Sequence, residues 1–377
     1  MENSQKKRIL LITRPICPPW DEASKNFAFY LAKNIQNFKI GLLTKGVLPD
    51  LPANVIQKPI YTSENFSYLQ KIRLIKHLRK LRKSFDVFHY LFTPTKQNAF
   101  LVKNFVNFGR KNRVKSIQTI ATLREDLYSD EEIKNLMFGD LIITYSDYAK
   151  NKLNKLGFQN VQKIYPGVDL EKNYPAGKNP EIMKRFGFAS SDFIINFTGE
   201  YTRLGAIDGV VETFVEIAKK IPNAKLSLAV RLKNREDEEK KKEVIKKLKQ
   251  HNLLDKVSFH DDWSCEMPDL FNLCDISIFP VQDMKGKFDV PLAVVEAMAC
   301  GKPVIISDLP ILQEFANAEN SVKIKTGDWK ELETAIVDLY ENPEKRRKIG
   351  QAARAYVENN FDIKNVAKEY EKVYEQI

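Results

Sequence analysis

The sequence is poor in the features that mark secreted, membrane-spanning and metal-binding proteins. Among 377 residues it holds four histidines and four cysteines, Cys17, Cys265, Cys274 and Cys300. The cysteines show no Cys-x-x-Cys spacing, which favours free buried thiols in a cytosolic protein over disulfides or a zinc site. No apolar run approaches the ~18 residues that cross a bilayer. The run that follows Lys6-Lys7-Arg8 covers only residues 9–12, which is too short for a signal-peptide core and typical of a first strand.

A repeat, a low-complexity tract and a glycine-rich phosphate loop are also missing from the sequence. The length exceeds the range of one hydrophobic core, and the apolar content of 43% is that of a globular protein, so we expect two domains. The net charge of +11 is uneven, because residues 1–165 hold 28 Lys and Arg against 13 Asp and Glu. This excess predicts an anionic partner for the first half, such as lipid headgroups or a lipid-linked phosphate. Nucleic acid ranks last because no recognised motif accompanies the charge.

Short apolar runs alternate with helical patterns along the chain, which predicts α/β domains with parallel sheets. Strands are expected at 8–13, 39–43, 86–91, 114–120, 140–144, 161–165, 193–198, 225–230, 257–260, 275–280 and 304–306. Helices are expected at 25–35, 66–85, 96–108, after residue 146 and before 161, and at 180–186, 207–220, 234–250, 267–274, 329–340, 343–358 and 363–377. Residues 44–65 are expected to form a loop with several prolines.

The stretch from residue 289 to 306 (DVPLAVVEAMACGKPVII) predicts a helix, a tight turn and a buried strand. Asp289 is expected to cap the helix and Pro291 to lie in its first turn. Gly301 is placed to end the helix. Glu296 stands among small and apolar side chains. It either faces solvent on an ordinary crossover helix or belongs to an anion site at the helix N-terminus.

The same stretch resembles the signature of family-4-type retaining glycosyltransferases of the GT-B fold. Residues 296–304 (EAMACGKPV) match the second half of that signature almost without change. The first Glu of the family signature lies eight positions earlier, where this chain has Phe288, and Asp289 is the nearest carboxylate. Residues 164–169 (IYPGVD) resemble the crossing between the two domains of the family. The resemblance is strongest over 140–169 and 193–312.

The resemblance implies an α/β protein of GT-B architecture, in which two Rossmann-like doubly wound domains face each other across a cleft. We expect an acceptor-side domain over 1–169, a nucleotide-sugar-binding domain over 170–358, and a C-terminal helix over 359–377 that crosses back to the first domain. The implied reaction transfers a sugar from a nucleotide-diphosphate sugar to a hydroxyl of a glycan or lipid-linked acceptor, with retention. Since the sequence holds no Asp-x-Asp triplet, we expect neither a metal ion nor a cofactor.

The resemblance implies roles for individual residues of this chain, assigned position by position from the family signature. Glu296 is expected to hold the ribose, whereas Arg203 and Asp289 are the catalytic candidates, one at the diphosphate and the other at a sugar hydroxyl. Leu204 stands where the family has a lysine, and Arg231 either replaces that lysine or is an exposed side chain without a ligand. The donor-binding candidates are Glu296, Arg203, Arg231, Val290 and Leu292.

The acceptor-side candidates are Glu22, Ser24, His89 and Arg124. Prolines and Trp20 stand in the loop over 15–24, where the family usually has glycines, and Ala121 stands where it commonly has a histidine. Ser24 or Asp21 could also simply cap the helix that follows.

Residues 66–85 (FSYLQKIRLIKHLRKLRKSF) predict a basic amphipathic helix. Such a helix either packs on a sheet with its basic face in solvent or lies on an anionic membrane, as in several glycosyltransferases that resemble this chain. The membrane-facing candidates are Lys76, Arg79, Arg82 and Lys83. They predict a cytoplasmic protein that is peripheral on the inner face of the membrane.

Two alternatives to a transferase remain open at the level of the sequence. The chain could be a GT-B phosphorylase or a nucleotide-sugar epimerase. It could also be a degenerate GT-B protein that binds a nucleotide-sugar or an anionic surface without turnover, as Phe288, Leu204 and Ala121 at polar positions of the family suggest.

Overall fold

The computed structural model describes residues 6–18, 20, 22–106, 114–261 and 265–377. Contacts divide the chain into two units. Unit 1 comprises residues 1–169, 288–290 and 361–377, and unit 2 comprises residues 170–287 and 291–360. Each unit is built on one parallel β-sheet with helices in the connections.

Unit 1 contains a seven-stranded sheet in the order β3-β2-β1-β4-β5-β6-β7. Its strands are β1 (Arg8–Ile16), β2 (Lys39–Thr44), β3 (Val55–Lys58), β4 (Val87–Leu91), β5 (Lys115–Ile120), β6 (Leu141–Thr144) and β7 (Val161–Lys163). Its helices are α1 (Ala23–Asn34), α2 (Tyr68–Leu81), α3 (Lys96–Leu101), a π-helical turn (Val102–Val106), α4 (Asp130–Leu136), α5 (Asp147–Lys155) and, at the end of the chain, α13 (Ile363–Gln376). The strand order reverses between β1 and β4, where ligands of such sheets bind beyond the carboxyl ends of the strands.

The central strands of unit 1 form because their apolar runs are buried on both faces, as parallel sheets require. Residues 9–12 of β1 are completely buried; all four pair in register with β4, and residues 9–11 also pair with β2. Aromatic side chains fill the space between the sheet and the helices, and Phe88, Tyr90 and Phe138 belong to this core.

Unit 2 repeats the same winding in a six-stranded sheet of order β10-β9-β8-β11-β12-β13. Its strands are β8 (Phe193–Gly199), β9 (Ala224–Val230), β10 (Val257–Phe259), β11 (Ile276–Phe279), β12 (Val304–Ser307) and β13 (Ser321–Ile324). Its helices are α6 (Pro180–Arg185), α7 (Ile207–Lys220), α8 (Arg235–Gln250), α9 (Met267–Leu273), α10 (Leu292–Ala299), α11 (Trp329–Glu341) and α12 (Pro343–Asn360). Here the order reverses between β8 and β11.

The last helix, α13, packs in unit 1 against α1. Its Glu371 accepts hydrogen bonds from the backbone N–H groups of Gln36 and Asn37 at 2.6 and 2.8 Å. Just before the helix, Val168 forms a parallel bridge with Asp362. The final residues of the chain are therefore part of the core of unit 1.

The predicted elements differ from the structure at four places. Strand β3 lies inside the expected loop over 44–65, where it forms a short, half-buried edge. Helix α4 and strand β13 were not predicted. The helix over 96–108 is α-helical only to Leu101 and continues as the π-helical turn, while residues 107 and 108 lie outside the described ranges.

Candidate functional site

Helix α10 and the turn after it follow from the glycine at their junction. Gly301 has a φ of 70°, a left-handed conformation that costs a glycine little. The N–H of Gly301 donates to the carbonyl of Met298 at 2.9 Å, and that of Lys302 donates to the carbonyl of Ala297 at 3.0 Å. This Schellman arrangement ends the helix and turns the chain directly into β12.

The prediction that Asp289 caps α10 is wrong. Pro291 is the N-cap residue, and no side chain caps the helix. Asp289 instead belongs to unit 1, where it is 6% exposed, accepts a hydrogen bond from the Ser146 hydroxyl, and donates its N–H to the carbonyl of Ala121 at 2.9 Å. Its catalytic role stays a prediction.

Glu296 lies in the middle of α10 and is half-buried. Burial raises the pKa of its carboxyl to about 7, and the charge of Lys172 opposes the rise. Among the residues that the structure describes, no hydrogen bond or ion pair engages this carboxylate. A carboxylate held in this way at a helix surface has its acceptor oxygens available for hydroxyl groups of a ligand.

Cations gather around one buried carboxylate at the carboxyl ends of β8 and β9. Glu200, which directly follows β8, accepts two hydrogen bonds from the Arg203 guanidinium, with 2.6 Å to Nε. Lys233 Nζ, from the loop after β9, donates to the same carboxylate at 2.7 Å. Lys287 Nζ, from the loop before α10, lies 3.6 Å from Glu200 Oε1. We call Glu200, Arg203, Lys233 and Lys287 the cation cluster.

The pKa values in the cation cluster follow from burial and from the surplus of positive charge. Burial alone would raise the pKa of Glu200, but hydrogen bonds from Arg203 and the charges of Lys287 and Lys233 lower it to about 2. Burial and the charges of Lys233, Arg203 and Arg231 lower the pKa of Lys287 to about 8, although Glu200 opposes the change. The cluster is therefore an electropositive site at the edge of the sheet where α/β domains bind ligands.

The sequence predicted Arg203 and Arg231 for this edge but missed both lysines. Lys233 lies two residues beyond the predicted Arg231, so its position after β9 was a usable signal. Lys287 lies in a loop eight residues after β11, and only the folded structure brings it to Glu200. Leu204, at the position of the lysine in the family, is completely buried. Leu292 is half-buried at the start of α10, and Val290, in unit 1, is buried so that its backbone alone could meet a ligand.

In unit 1 a small cavity of about 10 Å³ lies at the carboxyl edge of the sheet. Such a volume has room for roughly one water molecule. The residues around it are mostly aromatic or aliphatic, and hydroxyl groups come from only a few of them. They are Ser24, Phe27, Leu91, Phe92, Thr93, Thr119, Ala121, Tyr145 and Phe288. Ser24 is thus the acceptor-side candidate that lines a cavity.

His89 does not lie at the surface, so the prediction that it meets an acceptor is wrong. The ring is completely buried, and its two nitrogens are hydrogen-bonded to the hydroxyl groups of Tyr374 at 2.8 Å and Thr119 at 2.7 Å. Burial lowers the pKa of His89 to about 3, so the ring is neutral at physiological pH. It joins β4 to α13 and has a structural role.

The other acceptor-side candidates are engaged by neighbouring charges. Arg124 forms a two-fold hydrogen-bonded pair with Asp126, at 2.8 Å for both contacts. Glu22 accepts a hydrogen bond from Arg14 at 2.7 Å and is the N-cap residue of α1 without capping it through its side chain. Ser24 does not cap α1 either, because the helix begins one residue earlier, and Asp21 lies outside the described residues.

The basic helix is α2, with Leu74 and Leu78 buried against unit 1. Of the membrane-facing candidates, Lys76 and Arg79 lie on α2 and Arg82 and Lys83 directly follow it, and all four are exposed. The structure adds a second element to this face, because Arg79 donates to the carbonyl of Phe105 in the π-helical turn and lies 5.5 Å from the Phe105 ring.

Membrane spans and metal centres are both absent from the described ranges. Their helices include none that is both long and apolar enough to cross a membrane. Their His, Cys, Asp and Glu side chains form no group of three that could hold a metal ion. All four cysteines are free, as their spacing predicts, and Cys17, Cys274 and Cys300 are buried.

Comparison of the sequence with known proteins indicates a glycosyltransferase. Residues 178–356 match the family model of glycosyl transferases group 1. An uncharacterized glycosyltransferase of Methanocaldococcus jannaschii is 23% identical over 66% of this chain, and the match spans 62% of that protein. The N-acetyl-alpha-D-glucosaminyl L-malate synthase of Bacillus anthracis is 23% identical over 78% of this chain and 75% of its own.

Among solved structures, Anabaena Alr3699/HepE in complex with UDP and glucose superposes with a TM-score of 0.76 and 17% identity, over 99% of this chain and 100% of the other. A sucrose-phosphate synthase from Thermosynechococcus elongatus gives a TM-score of 0.75 at 17% identity, over 98% and 99% of the two chains. Likeness at these identities establishes the fold alone. The expected GT-B architecture of two Rossmann-like domains is thereby confirmed.

Proposed function

Since the chain belongs to the glycosyl transferases group 1, we propose that it is a retaining, hexosyl-type transferase that uses a nucleotide-diphosphate sugar. The acceptor is a hydroxyl group of a glycan or of a lipid-linked glycan, and no metal ion takes part. The observation that carries the proposal is the cation cluster of unit 2, within the region that matches the family. Three cations around one carboxylate leave a net positive site suited to a diphosphate.

Each part of the donor meets a different group of unit 2. Arg203, Lys233 and Lys287, with Arg231 close by, bind the diphosphate oxygens, and the guanidinium can bind them in a two-fold manner. The Glu296 carboxylate accepts hydrogen bonds from the ribose hydroxyl groups. As the bond to the sugar breaks, negative charge grows on the departing diphosphate, and fixed cations stabilise that charge more than they stabilise the bound donor.

The first test is a panel of nucleotide-diphosphate sugars, scored by thermal shift and by release of free nucleotide diphosphate. We expect one donor to stabilise the wild type and to be hydrolysed slowly. Glu296→Ala removes the ribose acceptor and should weaken binding about 10- to 100-fold, because hydrogen bonds to a charged group are worth about 1.5–3 kcal/mol. Glu319→Ala, at an exposed position of the same unit, is the matched control and should bind the donor like the wild type.

A second candidate function is nucleotide-sugar binding without turnover. It is favoured by apolar side chains at polar positions of the family, because Leu204 and Ala121 are buried and Phe288 lines a cavity with room for only about one water molecule. Stabilisation by a donor without release of nucleotide diphosphate, even with an acceptor panel present, would select this candidate. A response to none of the donors would contradict both candidates.

We also propose that the protein acts in the cytoplasm, on the inner face of a membrane, through α2 and the segment over 96–106. No Asp or Glu occurs between Glu64 and Asp86, so the cations of α2 have no acidic neighbour on their own helix. Large apolar side chains are exposed among them, with Leu69 at 74% and Phe100 at 59%. Cations combined with exposed apolar side chains fit an anionic bilayer surface.

Vesicle co-sedimentation tests this surface. We expect the wild type to pellet with phosphatidylglycerol vesicles at low salt and much less with phosphatidylcholine. Replacing Arg79, Arg82 and Lys83 with alanine should release the protein, whereas the same change at Lys242, Lys246 and Lys249, exposed on α8 of unit 2, should not. Equal pelleting of both triple variants would contradict the assignment.

A further inference from the structure

Glu200 occupies an unusual position for a carboxylate. Its side chain is 9% exposed and lies among cations that the proposed function assigns to the donor diphosphate. Arg203 and Lys233 donate to it directly, and Lys287 lies within ion-pair distance. An acidic side chain at this point carries the same sign of charge as the phosphate that it would meet.

The contacts of Arg203 show that carboxylate and phosphate cannot share the same guanidinium face. Its Nε and one terminal nitrogen donate to Glu200, and the other terminal nitrogen donates to the carbonyl of Gly286 at 3.0 Å. A phosphate that binds the Nε edge of Arg203 in a two-fold manner must replace the Glu200 carboxylate, because that carboxylate already takes both N–H groups of this edge. Lys233 donates to Glu200 Oε1 at 2.7 Å, and because its ammonium has three N–H groups it can also donate to a phosphate.

We propose that Glu200 is a resident counter-ion, a positioning residue that holds the three cations together in the free protein and gives them up to the donor phosphates. This inference rests on the proposed function, because it assumes that the cation cluster receives a diphosphate. Glu200 therefore has two opposite effects on the ligand. It competes with the incoming anion, and its charge keeps Lys287 protonated.

The second effect makes the role of Glu200 measurable through pH. Burial and the charges of Lys233, Arg203 and Arg231 lower the pKa of Lys287, Glu200 opposes them, and the result is a pKa of about 8. Without the Glu200 charge, Lys287 loses its proton at a lower pH. A variant that lacks the carboxylate should therefore bind an anion more tightly in mildly acidic solution and lose that advantage just below pH 8, where Lys287 is still charged in the wild type alone.

The experiment measures the Kd of inorganic pyrophosphate by calorimetry for the wild type and for Glu200→Gln at pH 6.5 and 7.5. Ratios of Kd are taken at one pH, so that the titration of pyrophosphate itself cancels. We expect Glu200→Gln to bind about tenfold more tightly at pH 6.5, since a competing charge is gone. At pH 7.5 the ratio should fall towards one, because Lys287 is still mostly charged in the wild type but has lost most of its charge in the variant. Glu200→Gln combined with Lys287→Arg should keep the tight binding at both pH values, because arginine stays charged.

Glu333→Gln is the matched control. Glu333 is also a buried carboxylate of unit 2 held by two lysines, Lys220 at 2.6 Å and Lys330 at 2.9 Å, and its loss should leave pyrophosphate binding unchanged. If Glu200→Gln binds no more tightly than the wild type at pH 6.5, the counter-ion role is overturned while the phosphate site stands. If neither protein binds pyrophosphate, the proposed phosphate site fails, and the role of Glu200 fails with it.

Discussion

Two glutamates of unit 2 show how position decides the chemistry of one residue type. Cations lower the pKa of Glu200 to about 2, whereas burial without a close cation raises that of Glu296 to about 7. The first side chain is ionised at any physiological pH, and the second changes its charge near neutrality. The sequence does not distinguish the two glutamates, because each follows a small or apolar residue. Their different surroundings are visible only in the folded structure.

The raised pKa of Glu296 means that ionising this side chain costs stability. A group whose pKa is higher in the folded than in the unfolded protein weakens folding as pH rises from about 4.5 to about 7. We expect Glu296→Gln to raise the free energy of unfolding above pH 7 by about 2 kcal/mol, after allowance for partial exposure. Urea unfolding at pH 5 and pH 8 checks this, and the gain should shrink at pH 5. An equal gain at both pH values would contradict ionisation of the buried carboxyl as its cause.

Tyr90 gives a second prediction at the scale of one side chain. Its ring is buried in the core of unit 1, and its hydroxyl has no hydrogen-bond partner among the described residues. Tyr90→Phe should therefore raise the free energy of unfolding by about 1 kcal/mol. Tyr61→Phe is the control and should lower the free energy of unfolding, because the buried Tyr61 hydroxyl donates to the carbonyl of Thr13 at 2.8 Å. Destabilisation by Tyr90→Phe in urea unfolding would contradict the prediction.

Helix α13 is held by a carboxylate as well as by its buried apolar face. Glu371 receives three hydrogen bonds from residues 36 and 37, and the shortest is 2.6 Å. Glu371→Ala removes three hydrogen bonds to a charged group, but Gln36 and Asn37 are exposed and their donors can turn to water, so we expect a loss of about 1–2 kcal/mol of stability. Glu369→Ala, at an exposed position of the same helix, should change little. Thermal unfolding of the two variants compares them, and equal melting temperatures would refute this anchoring role.

Most elements could be predicted from the sequence because their apolar periodicity is local. Helix α7 occupies the predicted residues without change, since its apolar spacing is complete. Helix α4 was missed although a signal was present, because Ser129 and Glu132 form the capping box that begins it. Strand β3 could not be recognised, since a four-residue edge strand pairs on one side and has no buried run. The failures are short elements whose partners lie far away in the sequence.

The candidate site was predictable only where its residues share one motif. Glu296 and Gly301 were predicted because helix, turn and strand follow each other directly. Lys287 was missed because its contact with Glu200 spans 87 positions of sequence. Asp289 was misjudged for the same reason, since Ser146, its hydrogen-bond donor, lies in the strand-to-helix turn after β6. Side chains that meet through tertiary structure leave no local pattern.

At the scale of the whole molecule, the connectivity predicts a one-sided response to truncation. Deletion of residues 361–377 removes buried side chains of unit 1, among them Val366, Tyr370 and Tyr374, but none of unit 2. Hydrogen exchange should therefore accelerate in β1 and β4 while β8 and β9 stay protected. Equal acceleration in both sheets would show that the two units unfold together.

The return of α13 to unit 1 also sets the order of events on the ribosome. Residues 170–287 and 291–360 leave the exit tunnel before residue 361, so unit 2 has all its strands while unit 1 still lacks a helix. Helix α13 covers Phe27 and His89 in the folded protein. These side chains stay uncovered while the nearly two hundred residues of unit 2 are synthesised. The half that begins translation is thus the last to be finished, and its apolar surface stays exposed for longest on the nascent chain.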